Sequence, residues 1–122
     1  MKYMLLTFGT AEELQETKPL EWIKEMVQFM GRLNTDLIAA GELVDAQGLA
    51  DGPYGKTVRF IDGAPVPTDG PFAETRECLA GYWVVDVENE ARAVEIASRV
   101  VAFIEGPIEV RQIMDGPPPE FL

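Results

Sequence analysis

The sequence predicts an α+β domain whose elements run β-α-β-β-(β)-β-α-β, and three observations carry that prediction. Segments 2–8 and 80–87 are apolar on both alternations, as strands covered on both faces are. Two longer segments repeat apolar residues at helical spacing, one through Trp22, Met26, Phe29 or Met30, Leu33 and Leu37, the other through Ala93, Ala97, Val100 and Ile104. Turn chemistry built on Asp, Gly and Pro punctuates everything between them. Strands and helices in this order make the split βαβ, or ferredoxin-like, sandwich.

The first strand, KYMLLTF, is followed by Thr10-Ala-Glu-Glu13, a capping box over a short helical turn. Pro19 opens the main helix and Gly41 ends it as the residue after the C-cap. Core packing accounts for the Trp22 and Met stripe on that helix better than a cofactor stripe does. A short strand spans 42–47, and the loop GLADGPYG leads to a strand at 56–62. That loop lacks the spacing of a phosphate loop and has no helix directly behind it. Asp62-Gly63-Ala64-Pro65 turns the chain into a stub strand at 66–68. Asn89 caps the second helix, and Gly106-Pro107 stops it. In the last strand, 108–114, Ile108, Val110, Gln112 and Met114 face one way, with Glu109, Arg111 and Ile113 opposite. Residues 1–114 therefore form one domain, and the Pro-rich tail 115–122 is expected to be extended and mobile.

Two helices cover only one face of such a sheet, yet strands 2–8 and 80–87 are apolar on the other face too. A second copy of the chain, packed sheet to sheet, is the expected cover.

Composition narrows the function. The 122 residues carry a net charge of −11, with the acids spread along the chain, which disfavours nucleic acid and anionic membrane as direct partners. No apolar stretch reaches membrane-span length. A single cysteine, Cys78, fits a reducing cytoplasm. The sequence has no histidine, which removes His-activated nucleophiles and the His-based zinc and iron sites, so neither a metal nor an organic cofactor is expected.

Asp-Gly-Pro occurs three times, at 51–53, 69–71 and 115–117, and only the middle copy continues into a charged run, DGPFAETRE at 69–77. The first and third copies read as turns with nothing behind them. At DGPFAETRE the chain resembles the YCII-related family, and within it the branch whose motif is DGPFAETKE. The likeness extends to MKYMLL, AAGELV, TVRFIDG, GYW and IEVRQI. The resemblance implies a ferredoxin-like domain in a dimeric α/β-barrel assembly. It also implies a functional link to extracytoplasmic-function sigma factors, beside which members of the branch are often encoded. In the wider family a His–Asp pair associated with the first helix is the proposed catalytic group; without a histidine, that role has no counterpart here.

The candidate site is a polar cleft between this segment and the last strand. Asp69, Glu74 and Glu77 supply carboxylates, Arg76 a cation and Phe72 an apolar wall; Glu109 and Arg111 share one face of the last strand, and Tyr82 is expected on the neighbouring strand. The same residues also read as a structural clamp of ion pairs around a core phenylalanine. Two functions stay open: a small-molecule-binding or regulatory module, or a carboxylate-based enzyme of isomerase or lyase type. In the second, Glu74 or Asp69 is the base and Arg76 or Arg111 holds an anionic group.

Overall fold

The computed structural model describes residues 1–71 and 78–122. Strand β1 (Lys2–Phe8) leads to helices α1 (Ala11–Thr17) and α2 (Leu20–Ala39), then strand β2 (Leu43–Gly48). Strands β3 (Lys56–Ile61) and β4 (Ala64–Asp69) form a separate two-stranded ribbon. Strand β5 (Leu79–Asp86), helix α3 (Glu90–Ile104) and strand β6 (Glu109–Gln112) complete the domain. The main sheet has the order β2-β5-β1-β6, antiparallel throughout. This mixed α+β arrangement is compatible with the ferredoxin-like fold.

Helices α1 and α3 start where a side chain supplies an acceptor, whereas α2 starts at Pro19 with no side-chain cap. Thr10 accepts from the Glu13 amide at 3.0 Å, and Asn89 accepts from the Arg92 amide at 2.9 Å. At the end of α2, Gly41 takes φ 71°, a left-handed conformation that costs least without a Cβ. The Gly41 and Glu42 amides then return to the Ile38 and Leu37 carbonyls at 3.0 and 2.8 Å, closing the helix with a Schellman motif. The α3 terminus departs from expectation. Glu105, not Gly106, takes the left-handed conformation, at φ 54°, and its amide closes on Val101. The hairpin turn is also tighter than expected: Asp62 and Gly63 alone make it, both at positive φ, so β4 begins at Ala64. The tail contains a 3-10 turn, Pro119–Phe121, rather than running extended throughout.

The core lies between the sheet and α2 with α3. Tyr3, Leu5, Trp83 and Val85 meet Leu33 and Leu37 from α2 and Ala93, Ile96, Ala97 and Val100 from α3. The register puts Leu5 between Trp83 and Val110, so β6 contributes to this face as well. On the opposite face the register aligns Glu109, Leu6, Tyr82 and Gln47 in one row and Arg111, Met4, Val84 and Asp45 in the next. Its centre is apolar and its two edges are polar.

Glu42 and Arg92 tie the α2–β2 turn to α3. Arg92 donates through Nη2 to Oε1 at 2.8 Å and through Nε to Oε2 at 3.0 Å, a bidentate pair. The hydrogen bond from Arg92 holds the Glu42 carboxyl below its ordinary value; partial burial opposes this, and the charge of Arg92 reinforces it. A depressed carboxyl contributes stability that is present above its unfolded value, about 4.3, and is lost as pH falls through the folded one. Glu42→Gln should therefore cost roughly 1–2 kcal/mol at neutral pH, between the exposed and buried limits for ion pairs. The difference from wild type should shrink in urea titrations run at progressively lower pH below the ordinary glutamate range. A difference independent of pH would assign the effect to packing instead.

Candidate functional site

A cavity of about 680 Å³ opens between α1, α2, the helix-facing side of β2 and β5, and the 104–107 turn. Its long wall is a stripe on α2. Trp22, Met26, Met30 and Asn34 recur every fourth residue, a spacing that keeps them on adjoining turns of the helix. Helical spacing predicts core packing along this whole face, and the structure corrects that for its first half. Leu33 and Leu37 are fully buried, whereas Trp22, Met26 and Met30 are only half-buried and line open space. The reason is local: α1 stands over this half of α2 and contributes no buried residue, so it roofs the stripe without filling it. Leu14 is its half-buried contribution to the lining.

The wall is held rigidly. Trp22 lies 5.5 Å from the Phe103 ring, which stacks on Phe29 at 4.8 Å, and the Lys18 ammonium sits 4.8 Å above the Trp22 ring. At the other end Trp83 Nε1 donates to Asn34 Oδ1 at 2.8 Å. Most other polar groups of the lining are spent on structure. Thr7 donates to the Gly81 carbonyl at 3.1 Å, Thr10 caps α1, and Thr17 donates to the Glu13 carbonyl at 2.9 Å. Asn34 lines the same mostly apolar surface, and its amide nitrogen has no hydrogen-bond partner among the described residues. That combination of apolar walls and one placed polar group suits small-molecule binding.

Asp51 also overturns an expectation. The first Asp-Gly-Pro copy does have something behind it: the Asp51 carboxylate accepts from the Ala11 amide at 2.8 Å and the Glu12 amide at 3.3 Å. It satisfies two orphan donors of α1 from 40 residues away and pins the roof of the cavity. Asp51→Ala should cost about 1 kcal/mol, the usual worth of a helix cap. It should also speed amide exchange in α1 more than in α3, measurable by hydrogen–deuterium exchange; equal protection in both helices would refute the pinning role.

Of the residues singled out from the sequence, Phe72, Glu74, Arg76 and Glu77 lie outside the described residues. Asp69 pairs with Lys56 across the ribbon. Glu109 and Arg111 share the open face of the sheet, and Arg111 Nη2 meets Glu109 Oε2 at 2.6 Å. Tyr82 is on that face too, but β1 separates its strand from β6, so it is not the neighbour expected; its hydroxyl instead approaches Asp45 Oδ2 at 3.4 Å. Pro71 and Cys78, which flank the DGPFAETRE residues that are not described, converge beside Gly52: a Cβ there would stand 3.0 Å from Pro71 Cγ and 3.4 Å from Cys78 Sγ. The Gly9 amide donates to the Cys78 carbonyl at 2.8 Å, and Gly9 and Asp51 both line the cavity. Among the described residues, no three metal-ligating side chains cluster closely enough to hold an ion.

A second depression of about 670 Å³ lies on the outer surface between α2 and α3. Only helix residues line it, the Arg99–Asp36 pair at 3.1 Å among them, and Phe29 is its one large apolar side chain, so it lacks the apolar walls of the first.

Residues 1–117 match the YCII-related domain. An uncharacterised protein of Rhizobium meliloti (strain 1021) is 29% identical over 101 residues, covering 80% of this chain and 77% of that protein.

Proposed function

The chain belongs to the YCII-related domain family, and from that premise we propose that it is a small-molecule-binding module whose ligand occupies the cavity beneath α1. The observation that carries this is the α2 stripe of Trp22, Met26 and Met30, half-buried and lining the open space of the cavity. Pro71 and Cys78 adjoin the loop that carries Asp51, so these two described residues belong to the same neighbourhood as the cavity. Binding is favoured over catalysis because the polar groups of the lining are largely committed to holding the walls.

The chain's two tryptophans, Trp22 and Trp83, both line the cavity, so intrinsic fluorescence reports its occupancy. Titration with the apolar dye 1-anilinonaphthalene-8-sulfonate should quench both by energy transfer. Ala46→Phe, which adds bulk to the floor beside Trp83, should abolish that quenching while the protein stays folded. Quenching that survives the substitution would place the dye elsewhere and remove the support.

The same reading includes a homodimer through the open face of the sheet. Met4, Leu6 and Val84 give the face an apolar centre; Arg111 stands at one edge and Asp45 at the other, so a two-fold partner brings opposite charges together. Light scattering at micromolar concentration should give a dimer mass, and Val84→Arg should reduce it to a monomer. A wild-type monomer would refute the assembly.

A further inference from the structure

Resting on the cavity as a binding site, we propose that its ligand is an elongated, mostly apolar molecule ending in a carbonyl or carboxylate oxygen, bound along α2 with that oxygen on the Asn34 amide. Length comes from the helix. Trp22 and Asn34 both line the cavity, and 12 residues of α-helix rise about 18 Å, far longer than a compact ring system. Between them the stripe offers only Met26 and Met30, unbranched thioethers that adapt to an apolar chain without asking for hydrogen bonds.

The polar end is fixed by donor arithmetic. An indole nitrogen only donates, so the Asn34 atom 2.8 Å from Trp83 Nε1 is the amide oxygen. Its nitrogen therefore points away from Trp83, and neither of its hydrogens has a protein acceptor among the described residues. Two N–H donors beside an apolar trough select an acceptor oxygen. At the opposite end the Lys18 ammonium is drawn onto the Trp22 ring, clamping the wall. A polyanion finds no counterpart here: Glu13, Asp51 and Lys18 are the charged residues of the lining, and two of the three are acids.

Asn34→Asp is the decisive variant, since it keeps an acceptor for Trp83 Nε1 and removes both donors. Decanoate and 2-undecanone should displace the anilinonaphthalene dye from the wild type. Decyltrimethylammonium, which has the chain but no acceptor, and benzoate, which has the acid but no chain, should bind at least about tenfold more weakly. Asn34→Asp should lose at least about tenfold affinity for decanoate and 2-undecanone, the scale of a lost hydrogen bond with its partner left unsatisfied, while still binding the dye. Equal affinity of Asn34→Asp and wild type for both probes would overturn the proposal, as would binding of benzoate or decyltrimethylammonium as tight as that of decanoate. If the dye binds the wild-type cavity and neither decanoate nor 2-undecanone displaces it, the ligand class falls and the binding site stands. If the dye fails to bind as well, both fall together.

Discussion

Leu33→Ala is expected to destabilise the protein by about 2–5 kcal/mol, the range for removing a fully buried leucine. Leu33 is completely shielded from solvent and belongs to the cluster that joins α2 to Leu5, Val85, Ile96 and Val100. Its loss subtracts the transfer energy of one methine and two methyl carbons and leaves a hole that these neighbours, themselves held by the sheet and α3, fill only partly. The effect reaches the candidate site, because Met30 and Asn34 flank Leu33 on the same helix and set the far end of the cavity wall. Urea denaturation should show a lower midpoint at unchanged slope, together with weaker dye binding. A loss under about 1 kcal/mol would mean that α2 is not anchored where its buried residues put it.

Much of this architecture is legible in local chemistry. Thr10, Asn89 and Gly41 act within three or four residues of themselves, so short-range patterns identify them, and both helices and the central strands follow from periodicity. Asp51 escaped because its partners are amides 40 residues earlier, which no turn motif encodes. The Trp22 stripe shows that one face of α2 turns inward. Periodicity is silent on whether anything fills the space opposite, and α1, with no buried residue, leaves it open. Asn34 had a faint signal, a polar residue four positions after Met30 on an otherwise apolar stripe. Its partner Trp83 lies 49 residues away on a strand, so the pairing itself was invisible. Alternation puts Glu109 and Arg111 on one face, but the place of Tyr82 relative to them depends on strand order, which sets β1 between β5 and β6 and is a property of the whole topology.

Gly81→Ala should destabilise by about 1–3 kcal/mol or more, the scale of forcing atoms into a filled space. Its backbone is ordinary strand, so the glycine is not there for its torsions. It pairs with Thr7 of β1 on one side and with Gly48 of β2 on the other. A Cβ at position 81 would lie 2.6 Å from the Gln47 carbonyl oxygen and 3.3 Å from Gly48 Cα. Both are backbone atoms, so no flexible side chain can swing aside; β2 itself must move away from β5. That movement also disturbs the Thr7 hydroxyl bond to the Gly81 carbonyl, and Thr7, Gln47, Gly48 and Gly81 all line the cavity. Dye affinity should therefore fall along with stability. Gly31→Ala is the matched control. Gly31 sits within α2, and its added Cβ meets nothing within 4 Å, so relief of glycine's entropy cost should stabilise the helix by about 0.5–1 kcal/mol. Thermal and urea melts of the two variants should thus shift in opposite directions. A Gly81→Ala protein as stable as wild type would show that β2 and β5 do not approach so closely at the mouth of the cavity.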